Sequence, residues 1–323
     1  MAVELIRDES TPLTLVIMAA GLGSRFGGDK QLASLGPNGE TMLELSTLSA
    51  YQAGFTQVVL VIRPELEPQL ERLFEERIKP KVSSSFKYGF CYQRMSDLPD
   101  AALAKVQNFN HRLKPWGTAH ALWTARHQVQ GQMAVINADD YYGDSAFKLL
   151  AKGLISESDD WMLVAYPLSL TLSDHGGVNR GVCQVEQGIL KGVAEWTDIR
   201  REHQGLTGEF DGTRRELNST SPVSMTCWGF SADIFSVIES ELNLFILEHG
   251  LEAKSECYLP SVVQQHMDTT HHQDVESDSK AKKQIRVATA QEPWFGVTYP
   301  QDVAWVKEKL SGVLHNKRNG VIE

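Results

Sequence analysis

An apolar strand, a glycine-rich loop and a helix follow one another near the start of the sequence. The strand pattern LTLVIMA covers residues 13–19, and the loop GLGSRFGGDK covers 21–30. The helix pattern ETMLELSTLSAYQAG follows, with Thr41 as its predicted N-cap and Gly54 as its predicted stop. A second apolar run, QVVLVI at 57–62, completes a β–α–β unit. Apolar runs that alternate with helices predict a mostly parallel sheet covered by helices.

The same alternation continues to about residue 155, and then the pattern changes. Helices are predicted for 64–78, 117–129 and 143–155, and strands for 90–93 and 132–138. After Trp161, the segments WMLVAYPL, GVCQVEQGILKGVAEW and SPVSMTCWGF predict longer, partly antiparallel strands joined by polar loops. The second half of the chain is therefore expected to differ from the first in strand direction.

Charge and composition exclude several classes of partner. The 323 residues are 42% hydrophobic and carry a formal net charge of −10. Binding to nucleic acid or an anionic membrane needs a concentrated cationic surface, so neither partner is expected. No apolar run reaches the roughly 20 residues that span a bilayer, and the N-terminus lacks a signal-peptide pattern. The four cysteines are scattered without a CxxC pair, which favours a reducing cytoplasm. A homo-oligomer is left open.

The glycine-rich loop is typical of a phosphate site, because a strand–turn–helix junction points backbone N–H groups and a helix dipole at an anion. A dinucleotide fingerprint needs GxGxxG, but Phe26 stands where the third glycine would be. A Walker A loop needs GxxxxGK[ST], but Asp29 separates Gly28 from Lys30. The pattern that remains is GxGxRxxxxK. On residue types alone, a phosphate loop and an ordinary glycine turn with solvated cations stay equally open.

Sequence beyond the loop adds a resemblance. AAGLGSRFGGDKQ, followed by LGPNGETMLELSTLSAYQAG, resembles the signature of nucleotidylyltransferases that activate sugar 1-phosphates, and is similar to methylerythritol phosphate cytidylyltransferases. In those families this loop wraps an NTP. The resemblance implies that Arg25 and Lys30 are catalytic, by stabilising charge during attack on the α-phosphorus. The nucleotide-binding residues that it implies in this loop are Ala20, Gly21, Gly23 and Ser24.

Two further motifs resemble the same family in the same order. KPWGTAHAL looks like the segment that contacts the nucleotide base, which makes Gly117 and Thr118 nucleotide-binding candidates. VINADDYYG ends a strand with two carboxylates, and ligands of open α/β sheets bind at such strand ends. The family match places a Mg²⁺ ligand at Asp139, while Asp140 is predicted to contact the ribose or to cap the next helix. Capping by either aspartate is the structural alternative to metal binding.

The similarity continues more loosely to Trp305. GVAEWTDI looks like the strand with the family's sugar-contacting glutamate, which implies that Glu195 binds the acceptor. SMTCWGF resembles the strand that faces the acceptor. Near the end, Gly296 stands where sugar 1-phosphate members often carry an aspartate, the second metal ligand. The second ligand and the acceptor are therefore not assigned by the resemblance.

Together these motifs predict a Rossmann-like, three-layer α/β/α fold with a mixed, mostly parallel sheet. We divide the chain into an N-terminal extension (1–12), a nucleotidylyltransferase domain (13–312) and a C-terminal tail (313–323). Within the domain, 13–155 is the predicted nucleotide-binding half and 156–312 the acceptor-binding half. The predicted reaction moves an NMP from an NTP to a phosphorylated small molecule, a sugar 1-phosphate in the first instance, with Mg²⁺ as cofactor and pyrophosphate as leaving group.

Two alternatives to this prediction remain. One is a cytidylyltransferase that acts on an alditol or choline phosphate, which the glycine at position 296 favours. The other is a non-catalytic, nucleotide-binding regulatory module. A third group of residues, His266, His271 and His272, lies in a polar stretch that predicts an exposed loop, and its spacing matches no familiar metal site.

Overall fold

The computed structural model describes residues 12–21, 32–106, 109, 112–156, 159–203, 205–272, 283–297 and 302–318. Within these ranges the strands are β1 (Thr14–Met18), β2 (Gln57–Ile62), β3 (Lys87–Tyr92), β4 (Met133–Asn137), β5 (Asp140–Tyr141), β6 (Trp161–Pro167), β7 (Val178–Glu186), β8 (Ile189–Glu202), β9 (Gly205–Phe210), β10 (Thr213–Leu217), β11 (Pro222–Phe230), β12 (Ile285–Thr289) and β13 (Phe295–Gly296).

The helices are α1 (Met42–Gln52), α2 (Glu67–Leu73), α3 (Asp100–Leu103), α4 (Thr118–Trp123), α5 (Asp144–Leu154), α6 (Ile234–His249), α7 (Leu259–His272) and α8 (Asp302–Arg318). Short 3₁₀ turns cover Pro64–Leu66, Lys79–Lys81 and Leu168–Leu170, and one π turn covers Phe74–Ile78. The helical segment predicted over 64–78 therefore forms as a succession of helix types rather than as one α-helix.

Eleven of these strands form one sheet in the described part of the chain. Its order is β10-β9-β8-β12-β6-β11-β4-β1-β2-β3, with β7 paired to both β8 and β11. The strands of the first half, β1 to β4, contain only parallel pairs with one another, as predicted. The second half is mainly antiparallel, and β11 joins the two halves by pairing antiparallel with β4. The mixed sheet is thus confirmed, but "mostly parallel" is wrong for the sheet as a whole.

Helices cover both faces of this sheet because each central strand is apolar on both sides. Leu15 and Ile17 of β1 pack in a core with residues of α1, α2 and α5. Val16 and Met18, which point the other way, pack in a second core with residues of α4, α6 and α7. Burial on both faces fixes the register of β1 and therefore the place where its following loop leaves the sheet.

The first helix begins as the sequence predicts. The hydroxyl of Thr41 accepts a hydrogen bond from the backbone N–H of Glu44 (3.0 Å), which satisfies one of the free donors of α1. The fully buried carboxylate of Glu44 forms ion pairs with Arg77 (2.7 Å) and Lys81 (2.8 Å). These bonds tie α1 to the helical turns that precede β3.

Two helix boundaries differ from the prediction. Helix α4 ends at Trp123 rather than continuing to residue 129, because the hydroxyl of Thr124 donates to the carbonyl of Ala121 (2.8 Å) and the following backbone bonds tighten to i→i+3. Helix α7 continues to His272, so the histidine-containing stretch begins as helix and not as loop. No helix in the described ranges is both long enough and apolar enough to span a membrane.

Candidate functional site

The candidate site lies at the sheet edge where β1 and β4 end side by side. The two strands are parallel, with Met18 opposite Asn137. One residue further, the N–H of Ala138 donates to the carbonyl of Met18 (3.1 Å), and on the other side the N–H of Ala19 donates to Val61 (2.8 Å). The glycine-rich loop after β1 and the carboxylates after β4 therefore leave the sheet from adjacent positions, as expected for ligands of an open α/β sheet.

The predicted loop residues divide between the described and undescribed parts of the chain. Ala20 is buried and Gly21 is exposed at the end of β1. The other four loop candidates, Gly23, Ser24, Arg25 and Lys30, lie outside the described residues. Their assignment stays a prediction that rests on the sequence motif.

The two carboxylates after β4 occupy different local structures. Asp139 is half-buried in a turn, whereas Asp140 is buried and begins the short strand β5. Strand β5 pairs antiparallel with β13, so that Asp140 lies opposite Gly296. The Oδ2 atom of Asp140 accepts a hydrogen bond from the amide of Asn137 (3.0 Å), and the hydroxyl of Tyr142 lies 3.3 Å away. Because a turn separates the strands, the alternation of a single strand does not decide which aspartate faces the phosphates.

The prediction that Asp140 caps the following helix is wrong. The N-cap of α5 is Gly143, which has a positive φ of 76° and makes no side-chain capping bond. Instead the carboxylate of Glu292 accepts from the N–H of Ser145 (2.6 Å) and complements the helix dipole. A Cβ atom at residue 143 would lie 2.5 Å from Glu292 Oε2, so a glycine is needed for this approach. Asp140 therefore does not cap α5 and remains at the start of β5.

The segment with Gly117 and Thr118 is held against the loop before α7. The carbonyl of Cys257 accepts from the N–H of Ala119 (3.0 Å), and the hydroxyl of Thr118 accepts from the N–H of Leu259 (2.9 Å). Gly117 has a φ of +101°, and a Cβ atom there would lie 2.4 Å from the backbone oxygen of Cys257. Both residues thus have structural bonds in addition to the predicted contact with a nucleotide.

Gly117→Ala is expected to destabilise the protein by about 2–3 kcal/mol, because the new Cβ meets backbone that cannot rotate away. Gly54→Ala is the matched control, since Gly54 has the same φ of +101° but nothing within 4 Å of its Cβ position. The control therefore reports backbone strain alone, about 1 kcal/mol. Urea unfolding of both variants measures the difference, and equal losses would refute the close approach to Cys257.

The helix that follows Gly117 carries a buried histidine. Nε2 of His120 lies 2.7 Å from the carbonyl of Asp97, and Nδ1 lies 3.2 Å from the side-chain nitrogen of Gln93. These partners assign the neutral tautomer, in which Nε2–H donates and Nδ1 accepts. Burial lowers the pKa of His120 to about 4, and the carbonyl of Asp97 opposes only part of that shift. His120 is therefore a neutral structural bridge to the loop after β3.

The lowered pKa of His120 predicts that the folded protein loses stability in acid. That pKa rises to about 6.5 on unfolding. Below that pH the unfolded chain therefore binds a proton at this histidine that the folded chain does not bind. Stability is complete above pH 6.5 and falls by about 3 kcal/mol as the pH drops to 4. We expect His120→Gln to remove that slope, whereas His127→Gln, at an exposed position, keeps it. Chemical unfolding between pH 4 and 7 checks this, and a full slope in the His120 variant would contradict it.

Comparison with known proteins gives a match for the first part of the chain, which contains most of β1 and all of β2. Residues 15–87 match the family model of the MobA-like NTP transferase domain. The matched stretch begins in β1, includes the glycine-rich loop and α1, and ends at the first residue of β3. The predicted resemblance to NTP transferases is confirmed over this stretch. No match to the sequence is found among curated proteins.

Solved structures are similar in fold to this chain well beyond residues 15–87. The inositol-1-phosphate CTP transferase from T. maritima has a TM-score of 0.57 at 12% identity, covering 93% of this chain and 96% of its own. A UDP-glucose pyrophosphorylase from Acinetobacter baumannii has a TM-score of 0.56 at 14% identity, covering 97% and 100%. HddC from Yersinia pseudotuberculosis has a TM-score of 0.52 at 14% identity, covering 93% and 100%. At these identities the comparison shows a shared fold over nearly the whole chain.

Glu195, the predicted acceptor residue, lies on β8 in the second half of the chain. It lies opposite Gly181 of β7, which in turn lies opposite Ser224 of β11. The side chain is exposed. Surrounding protein nevertheless desolvates its carboxyl enough to raise the pKa, and the positive charge of Arg180 opposes part of that rise. A carboxyl with this surrounding is suited to hydrogen bonds with an uncharged ligand group.

Two features near the site had no sequence signal. Thr226 adopts a φ of +57°, which is unusual for a β-branched residue, inside an irregularity of β11 between Ser224 and Trp228. Its carbonyl lies 3.2 Å from the hydroxyl of Tyr142. Arg180 is buried, and its guanidinium carbon lies 5.1 Å from the ring centroid of Trp294, in a pocket that also contains Gly296 and Asp302. Strand patterns predict neither a left-handed threonine nor a buried arginine.

The histidine-rich stretch does not form a metal site in the described part of the chain. His266 packs against Trp161, with ring centroids 4.8 Å apart, and burial lowers its pKa. His271 and His272 lie at the end of α7. In the ranges that the structure covers, no three residues among histidine, cysteine, aspartate and glutamate cluster as metal ligands.

Proposed function

We propose that this protein transfers a nucleotidyl group from an NTP to a phosphorylated small molecule, in the first instance a sugar 1-phosphate, and releases pyrophosphate. The single observation that carries the proposal is the adjacency of β1 and β4 within the matched fold, where Ala138 bonds to Met18 at 3.1 Å. Because of that adjacency, the glycine-rich loop leaves the sheet beside the carboxylates that would hold a cation for the phosphates. The proposal includes a Rossmann-like, three-layer arrangement. It also includes the division of the domain, at residue 155, into a nucleotide-binding half and an acceptor-binding half.

In the proposed mechanism the chain works mainly by positioning and by charge. The backbone of the loop from Ala20 to Ser24 binds the triphosphate, and Gly117 and Thr118 contact the base. Arg25 and Lys30 stabilise the negative charge that grows on the α-phosphate and on the leaving pyrophosphate. The acceptor is a phosphate monoester, which is already anionic near neutral pH. Its oxygen therefore attacks without a general base, and the pKa of His120 keeps that histidine neutral above pH 4.

Mg²⁺ fits the chemistry of the residues at the strand end. Asp139 and Asp140 offer hard carboxylate oxygens, and Asn137 lies within hydrogen-bond distance of one of them. Asp139 is the proposed ligand. When bound, Mg²⁺ would supply positive charge that offsets the charge of the phosphates. The acceptor then lies toward β8 and β11, where Glu195 accepts or donates a hydrogen bond to a hydroxyl group.

A panel of substrates tests this proposal. Each of the four NTPs is incubated with Mg²⁺ and one acceptor, and pyrophosphate is measured. Inositol 1-phosphate belongs in the panel because one protein of the same fold is named for it, and glucose 1-phosphate because another is named for UDP-glucose. An alditol phosphate and choline phosphate represent the alternative acceptor class. Pyrophosphate that requires both an NTP and one acceptor supports the proposal. A protein that binds NTP but releases no pyrophosphate with any acceptor is instead a nucleotide-binding module.

A further inference from the structure

Gly296 and Asp140 share one small volume at the end of the sheet. They are register partners on β13 and β5. A Cβ atom at residue 296 would lie 2.3 Å from Oδ1 of Asp140, which is far inside van der Waals contact. It would also lie 3.0 Å from the ring of Trp294. The carboxylate of Asp140 therefore occupies the space in which a side chain at position 296 would begin.

We propose that Asp140 supplies the second carboxylate to a divalent cation held by Asp139, and that Gly296 lacks a side chain to make room for it. This inference rests on the proposed function, since it concerns the cation of that reaction. It replaces a ligand from β13 with one from the facing strand β5. The carboxylate of Asp140 thus takes the place that a side chain at position 296 would take, but it comes from the opposite strand of the β5–β13 pair.

The surroundings of Asp140 orient its carboxylate in a way that suits a ligand. One oxygen, Oδ2, receives the hydrogen bond from Asn137 and lies 3.3 Å from the hydroxyl of Tyr142. Tyr142 is itself fixed, because its hydroxyl accepts from the N–H of Asn137 (3.0 Å) and lies 3.0 Å from the carbonyl of Met225. The amide of Asn137 holds Oδ2, and Oδ1 lies on the side of Gly296.

The position of Asp140 in the chain agrees with this role. It follows Asp139 directly, and Asp139 lies in the turn that joins β4 to β5. The helix that could have used Asp140 as a cap is capped by Glu292 instead. Two carboxylates, with waters and phosphate oxygens, make a typical ligand set for Mg²⁺. A third carboxylate at position 296 would add charge repulsion to a steric clash.

The test measures binding of Mn²⁺ alone, by the electron paramagnetic resonance signal of the free ion, to the full-length protein without substrates. Asp140→Asn is expected to weaken Mn²⁺ binding at least about tenfold, since even outer-shell partners contribute about 10–100-fold. Gly296→Ala should weaken it as well, because the new methyl group displaces Oδ1. The double variant Asp140→Ala/Gly296→Asp should bind within a few-fold of wild type, because it moves the carboxylate across the strand pair.

Several outcomes would overturn the inference. Wild-type affinity in Asp140→Asn would do so, as would tighter binding in Gly296→Asp than in the wild type, or no Mn²⁺ binding by the wild-type protein. Circular dichroism and urea unfolding of every variant show whether it is folded. If Asp140→Asn does not fold, then wild-type Mn²⁺ affinity in folded Gly296→Ala overturns the inference on its own.

Failure of the inference is distinguishable from failure of the proposed function. A wild-type protein that releases pyrophosphate while Asp140→Asn binds Mn²⁺ normally keeps the function and loses the inference. A wild-type protein that binds Mn²⁺ through Asp140 but transfers no nucleotide with any acceptor loses the function and keeps the inference.

Discussion

Asp139→Asn is expected to lower Mg²⁺-dependent turnover on the order of 10³-fold, which corresponds to about 4 kcal/mol in the barrier. An amide is a poor ligand for a hard cation that gives up its waters reluctantly, so the variant loses charge where the phosphates react. The side chain keeps its size, and its half-buried position in a turn accommodates the change. Pyrophosphate release is measured as a function of Mg²⁺ concentration.

Two other variants make the result for Asp139 specific. Asp140→Asn should shift the half-saturating Mg²⁺ concentration upward and keep measurable turnover at high Mg²⁺. Asp159→Asn, at an exposed position after α5, should behave like the wild type. If Asp139→Asn keeps the wild-type rate and metal dependence, the metal is held elsewhere and the strand-end assignment is wrong.

Lys30→Ala is the second substitution with a large expected effect. Its charge is needed most when negative charge moves onto pyrophosphate, so kcat should fall on the order of 10²-fold while NTP binding changes little. Steady-state kinetics together with direct NTP binding separate the two effects. Lys307→Ala, on the exposed side of α8, is the control.

Arg25→Ala should differ from Lys30→Ala in how its effect is divided. An arginine can hold ground-state phosphates in a bidentate grip as well as stabilise the transition state. Its loss should therefore appear in both kcat and KM. Near-normal kcat in the Lys30 variant would contradict the catalytic role proposed for the loop cations.

Local features of the fold were predictable from sequence because they depend on neighbouring residues. The N-cap at Thr41, the buried runs of β1 and β2, and the strand that ends before Asp139 all lie where the patterns predict. The parallel order of the first half follows from helices inserted between strands. The extent of antiparallel pairing in the second half does not, because long hairpins such as β7–β8 depend on turn geometry and on partners far along the chain.

The strand ends that carry the candidate motifs were predictable from sequence, but the contacts around them were not. Glu292 caps a helix whose capped residue, Ser145, is 147 positions away in the sequence. Gly296 and Asp140 are also distant in sequence, so their shared volume emerges only from the pairing of β5 with β13. Thr226 adopts a backbone conformation that its residue type disfavours, inside an irregularity of β11 that no strand pattern indicates.

One measurement tests nucleotidyl transfer most directly. The protein is incubated with Mg²⁺, the active acceptor and an NTP labelled with ³²P at either the α- or the γ-phosphorus, and the products are separated. Attack on the α-phosphorus predicts α-label in a new acceptor-linked nucleotide and γ-label in pyrophosphate, with both products absent when the acceptor is omitted. Release of the γ-label as inorganic phosphate, with the α-label left in a nucleoside diphosphate, would contradict the proposed reaction.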